Sequence, residues 1–299
     1  MFTDWGVSKI INLPFNIFAD AYVDTGIFFF ENKPTSHYKI HSFKKNDEHN
    51  ELKDIPFTLI KSNLVLEPKF KIILNPTVFE IVRRLDSEKF EKLGDISIST
   101  QGLSPSRFSQ SIETDDKFSF PYLSRGNAYS YALEVEETYD TSLRNMESLI
   151  PFYLKGEKIL IRRIINRQDR LTVGFTDKKM VFKKDINPFI IIRDSYNPKY
   201  VLSLLASKFI SYYYINVSAI ALKDDFRQTT LTELREIMIP IINEQKQEKI
   251  VEKVNDILRE KSKNSSADTS SLEAEIDQLV YRLYDLTADE IGIVEGNVV

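Results

Sequence analysis

Cysteine is absent from all 299 residues. That excludes disulfides, thiolate zinc sites and a thiol nucleophile. Trp5 is the only tryptophan, and nine glycines and eleven prolines are too few for low-complexity disorder over most of the chain. No apolar run reaches the ~18 residues of a membrane span. The start carries Asp4 before a lone Lys9, which is not the basic opening of a signal peptide. A cytoplasmic location is expected, with no membrane partner. Histidine is scarce too: His37, His41 and His49 fit no tight metal spacing, so no metal site is expected.

What is present is the composition of a folded chain, 42% hydrophobic with 14 tyrosines and 20 phenylalanines. The net charge of −4 argues against a general nucleic-acid coat. The charge is unevenly spread, however. Residues 155–184 hold ten Lys/Arg against three Asp/Glu, whereas residues 263–299 hold two against eight. A basic patch on an acidic chain suits a binder that discriminates between sites. On charge alone, a strand pair with a solvated charged face fits better.

Residues 10–13 and 22–30 read as two strands, the first stopped by Pro14 and the second carrying Gly26. Both are nearly continuously apolar, as strands buried on two faces are, so they look like the tail of a larger α/β sheet. Residues 32–56 read as a polar linker or hairpin. Two short β-like runs follow, FTLIKS and KFKIIL. From Asn75 the pattern predicts a helix through Val78, Ile81, Val82, Leu85 and Phe90, stopped by Gly94. A polar loop then presents Gln101, Ser104, Ser106 and Arg107. Residues 111–147 read as loops with short strands, and residues 158–182 as a β meander. Asn197 caps a helix with Tyr200, Val201, Leu204, Leu205 and Phe209 on its apolar face, continuing to Ile215. Residues 234–242 form a strand or edge segment interrupted by Pro240. Two amphipathic helices around a Ser-rich break predict a terminal hairpin. Ser270 with Glu273, and Thr287 with Glu290, have capping-box spacing.

Several of these strings, in order, resemble the C-terminal part of adenine-specific DNA methyltransferases of type IIG and related restriction–modification enzymes. The family they are most similar to is the TaqI-like C-terminal specificity domain. INLPFNIFADAYVDTGIFFFE (11–31) resembles the last strand pair of the methyltransferase domain, and LGDISISTQG (93–102) the entry to the recognition domain. ILIRRI (159–164) and NPKYVLSLLASKFISYYY (197–214) resemble the family's apolar-arginine strand and following helix. KDDFRQTTLTELREIMIP (223–240), QEKIVEKVNDIL (247–258) and EIDQLVYRLYDLTADEIGIVE (275–295) complete the order.

The resemblance implies an α+β fold. It comprises a mixed, mainly antiparallel β-rich target-recognition domain with packed helices and a C-terminal helical hairpin. A strand pair from the end of a methyltransferase-like α/β domain precedes it. Expected boundaries are 1–56 for the tail and linker, 57–242 for recognition and 243–299 for the helical segment. The family's Gly-rich cofactor turn and its Asn/Asp-Pro-Pro-Tyr/Phe motif, which holds the flipped adenine, are not found. Asn75-Pro76-Thr77, Asn187-Pro188-Phe189 and Asn197-Pro198-Lys199 each lack the second proline. The implied role is sequence-specific binding of double-stranded DNA, without enzymatic activity of its own. S-adenosylmethionine is then expected only on a methyltransferase domain or subunit that partners it. The rival expectation is an assembly subunit or remnant that binds that partner rather than DNA. An unusual small-molecule methyltransferase is a third.

Phosphate contacts need Lys or Arg, and base reading needs Arg, Lys or amides at the groove. The phosphate candidates are Lys155, Lys158, Arg163, Arg167, Lys179 and Lys223; the base-reading candidates are Gln101, Arg107, Asn166, Gln168, Arg227 and Gln228. Arg162 and Arg163 are neighbours on a strand and point to opposite faces, so one can be spent inside the domain. Tyr212, Tyr213, Tyr214 and Phe226 read as core.

Overall fold

Strand pairing begins where the apolar runs place it. In the computed structural model β1 (Gly6–Asn12) and β2 (Gly26–Glu31) are antiparallel, from Gly6 opposite Glu31 to Asn12 opposite Gly26. On the other side of β1 lies β3 (His37–Ser42), in parallel, and beyond it β4 (Thr58–Lys61), antiparallel. The residues described are 5–13, 18, 25–43, 55–62, 65–66, 71–72, 76–104, 110–111, 120–123, 128–129, 131–133, 136–140, 152–153, 156–218, 221 and 227–296. The chain divides into two compact units, Met1–Arg84 and Leu85–Val299.

In the first unit the sheet order is β2-β1-β3-β4. Val7, Ile10, Ile11, Tyr38, Ile40 and Ile60 are buried. Burial of both strands on two faces, expected from their apolar runs, is not met in β2. It is the edge strand, and Phe28, Phe29 and Phe30 are 47%, 43% and 45% exposed. The polar stretch expected as a linker or hairpin contains β3 itself. A two-residue pair, β5 (Val65–Leu66) and β6 (Lys71–Ile72), and helix α1 (Pro76–Leu85) follow.

The helix expected to run to Gly94 ends at Leu85. Phe90, expected on its apolar face, belongs to β7 (Phe90–Lys92), which pairs with β18 (Met238–Pro240). The ring of Phe90 stacks on Tyr284, centroids 5.6 Å apart. A distant partner strand decides here over local periodicity. One helical turn, α2 (Leu93–Ile96), leads into β8 (Ser97–Ser99). The acidic stretch contributes short strands: β9 (Gln110–Ser111), β10 (Phe120–Leu123), β11 (Ala128–Tyr129), β12 (Ala132–Leu133) and β13 (Glu136–Asp140).

The centre of the second unit is the sheet β15-β14-β17-β8, made of β14 (Lys158–Arg162), β15 (Val173–Thr176), β17 (Ile186–Ile191) and β8. The expected meander is interrupted by β16 (Val181–Phe182), which crosses to pair in parallel with β10 in a second sheet. Leu160 and Ile186 pack with Leu103, Tyr153, Met180 and Phe182 in one apolar cluster. Alternation along β14 turns Ile159 and Ile161 to the opposite face, and both are fully buried.

Helix α3 (Pro198–Ala206) packs against β14 and β15, and Asn197 caps it by accepting from Lys199 N, as the sequence indicates. The helix does not continue unbroken to Ile215. Ser207 is extended, and its side chain accepts from Ile210 N, so it caps a new helix, α4 (Lys208–Val217). After α5 (Leu231–Arg235) and β18 come α6 (Glu244–Lys263), α7 (Ser270–Leu283) and α8 (Ala288–Val294). The expected hairpin of α6 and α7 is present, with Ile250, Val254, Ile257, Ile276 and Val280 buried. The expected Ser270–Glu273 capping box is not formed: Thr269 is the N-cap, and its hydroxyl donates to Glu273 Oε1 (2.6 Å) without a side-chain cap bond to the backbone. The capping box of Thr287 and Glu290 is complete. Among the described residues no helix is long and apolar enough to cross a membrane.

Candidate nucleic-acid interface

β14 carries the basic stretch, and its two ends are chemically different places. At about 3.4 Å per residue, Lys158 and Arg163 lie roughly 17 Å apart. Lys158, at the first end, is not on a surface. It is fully buried, and its Nζ donates to the carbonyls of Gly156 (3.0 Å), Lys178 (3.1 Å) and Tyr153 (3.5 Å). Burial pushes the ammonium pKa down to about 8, partly opposed by Asp177. Its ammonium is spent on the backbone and does not face a phosphate. Lys179 is exposed near that same end. Arg107, Lys155 and Lys223 lie outside the described residues.

The other end gathers most of the remaining candidates. The chain leaves β14 into a loop that closes on itself. Asn166 N donates to Arg170 O (3.2 Å), and Asn166 Oδ1 accepts from Gln168 N (3.0 Å) and Arg170 N (2.9 Å). Asp169, at φ +56°, completes the turn. Asn166 therefore uses its carbonyl oxygen to build the loop. Arg167 and Gln168 stand exposed at its tip.

Residues 227–229 lie beside this loop. Ile165 N donates to Arg227 O (3.0 Å) and Thr229 N to Arg163 O (2.7 Å). Arg227 pairs with Asp169 across the loop. Arg163 Nε donates to Gln228 Oε1 at 3.0 Å, which leaves the Gln228 amide nitrogen as its outward donor.

On the other flank, Arg163 N donates to Asp185 O (2.7 Å), which fixes the turn at residues 183–185. Gln101 is exposed there, with Nε2 at 3.5 Å from Lys184 O. The structure thus brings together Gln101, Arg163, Asn166, Arg167, Gln168, Arg227 and Gln228, and separates them from Lys158 and Lys179.

It also adds Lys183 and Lys184, absent from the candidate residues. The run DKKMVFKKD (177–185) shows their charge, but nothing local shows that a turn at 183–185 brings them beside Arg163. Arg170 was missed too, since nothing local shows that it faces inward. The arrangement offers guanidinium and ammonium groups for phosphates, with amides and an arginine held at fixed orientation for base edges.

The comparisons with known proteins bear on this region. The sequence profile of the TaqI-like C-terminal specificity domain matches residues 121–241. These residues are similar to the TaqI-like specificity domain. All the gathered candidates except Gln101 fall within it.

Over 304 aligned residues the chain is 38% identical to a Methanocaldococcus jannaschii protein named as a type II restriction enzyme and methyltransferase. The alignment covers 95% of this chain and 25% of that protein. The chain thus spans about a quarter of its relative's length. Among solved structures, the type IIL restriction–modification enzyme MmeI in complex with DNA superposes at TM-score 0.55 and 12% identity. It covers 98% of this chain and 45% of that one, a likeness of fold. The type IIG restriction endonuclease BpuSI gives 0.44 at 12% identity, covering 95% and 44%.

Proposed function

We propose that this chain is the sequence-reading part of a restriction–modification adenine-N6 DNA methyltransferase, with cofactor binding and methyl transfer carried by another domain or subunit. One observation carries the reading. The specificity domain gathers Arg163, Asn166, Arg167, Gln168, Arg227 and Gln228 at one end of β14, flanked by Lys183 and Lys184. The DNA-contacting role is assigned within residues 57–242, and residues 1–56 are assigned to the end of a methyltransferase-like domain. Lys and the other Arg side chains set register on the phosphates, while the amides and Arg227 read base edges.

Selection from a random duplex pool, with the full chain alone and with its methyltransferase subunit, tests this. Enrichment of one short sequence is expected. A pool left unenriched in both arms sinks the reading. Calorimetry of the chain alone with S-adenosylmethionine is expected to show no binding; measurable heat would move cofactor chemistry into this chain.

A second reading, assembly onto a methyltransferase body, is favoured by the exposed phenylalanines of β2, an edge strand whose backbone can extend another sheet. Phe29→Asp should then weaken co-purification with that subunit. Capture of the subunit without any DNA footprint would favour assembly over DNA reading.

A further inference from the structure

The loop at residues 166–170 has a second attachment on the side away from its tip. Arg170 turns inward, and its Nη2 donates to Ala206 O at 2.6 Å, the last residue of α3. The next residue repeats the link, with Leu171 N donating to Ser211 Oγ (3.1 Å) on α4. The break between α3 and α4 is itself held by the C-terminal helices. Lys208 N donates to Asp277 Oδ1 on α7 (2.8 Å), and Lys208 Nζ pairs with Glu295 at the end of α8 (2.5 Å). Tyr281 OH closes the set on Glu295 at 2.6 Å. Burial pushes the Asp277 carboxyl up, opposed by the bond from Lys208 N and by the positive charge of Arg170.

A continuous polar path thus runs from the exposed tip to the acidic C-terminal helices. Its members sit at fixed backbone positions, because Ser207 breaks the helix at the point where Arg170 docks. An inward arginine next to an outward arginine and amide holds the tip at a set height and rotation. Base reading requires such rigidity, since an amide or guanidinium discriminates only from a defined pose.

We propose that Arg170 is a positioning residue through which α7 and α8 set the pose of Arg167 and Gln168. This rests on the DNA-reading role above, and it assigns the C-terminal helices a part in specificity.

The test uses the full chain with Arg170→Met and Arg170→Lys. Hydrogen exchange is read at the amides of Gln168, Asp169 and Arg170, against the β14 amides as reference. Protection of the loop should fall about tenfold or more in Arg170→Met, equivalent to losing roughly 1.4 kcal/mol of local stability. Arg170→Lys keeps the cation facing Asp277 and should restore part of it. On the duplex selected by the wild type, the preference over random duplex should drop about tenfold in Arg170→Met, within the ~1–3 kcal/mol of one base contact. Affinity for random duplex should stay near wild type.

A purely structural role would lower both affinities together and would overturn the proposal. So would unchanged loop protection in both variants. If Arg170→Met does not fold, the lysine variant decides by the same loop exchange: wild-type protection overturns the proposal and a measurable loss supports it. If the wild type selects no duplex, the DNA reading fails on its own, and the exchange arm still decides whether Arg170 holds the loop.

Discussion

Replacing Gly102 by alanine should break the second unit beside the candidate interface. A Cβ at position 102 would lie 2.1 Å from Lys183 O, 2.6 Å from Lys183 C and 2.9 Å from Phe182 O. These are backbone atoms, so no side chain can swing aside. Reaching an ordinary contact requires the two segments to separate by more than about 1 Å. Three hydrogen bonds cross that gap: Gly102 N to Ile186 O (2.9 Å), Leu103 N to Phe182 O (2.8 Å) and Lys184 N to Leu103 O (2.8 Å). At roughly 0.5–1.5 kcal/mol net each, losing two or three costs about 1–4 kcal/mol. Partial opening of the cluster around Leu103 and Phe182 adds to this. Urea unfolding followed by far-UV circular dichroism measures it, because among the described residues every α-helix but α1 lies in the second unit. The expected result is a lower midpoint at unchanged slope for the helical signal. A change under about 0.5 kcal/mol, typical of an ordinary surface substitution, would refute the close approach.

Other expectations follow from the same geometry. If Lys183 and Lys184 neutralise phosphates, the pair Lys183→Ala and Lys184→Ala should flatten the slope of log K against log salt by roughly 1.8, at about 0.9 per contact; an unchanged slope removes that turn from the interface. The ammonium of Lys158 is lowered to about 8 by burial. The unfolded chain therefore binds more protons between about pH 8 and pH 10.5, and stability relative to Lys158→Met should rise with pH in that window and be flat below it. Denaturation midpoints at pH 7, 9 and 10 check the sign. Thr287→Ala removes one side of a complete capping box and should cost about 1 kcal/mol, read as increased exchange of the Glu290 amide.

Local signals were legible in the sequence where the deciding interaction is itself local. Asn197 and Thr287 cap helices through bonds two and three residues away. The pairing of β1 with β2 follows from two apolar runs separated by a loop. Legibility fails where a distant segment decides. Phe90 reads as part of the preceding helix but is held by β18, almost 150 residues later in the chain. Ser207 reads as a tolerated helix residue, yet its hydroxyl starts a new helix where Arg170 docks. The basic stretch was visible as charge, but charge along a strand does not say which end faces outward. Lys158 and Arg163 are five positions apart and have opposite fates, one satisfied by backbone carbonyls and the other set against Gln228.

The closure of the recognition loop has a consequence for how such a chain diversifies. Its frame is made by the side chains of Asn166, Asp169 and Arg170 and the backbone of residues 166–170, while the side chains of Arg167 and Gln168 take no part in it. Their side chains are therefore uncoupled from the folding of the loop that displays them. Selection can try many residue pairs at the tip without first finding compensating changes beneath it. If the tip reads DNA as proposed, a repertoire of target sites is accessible through codon changes at these two positions on one scaffold.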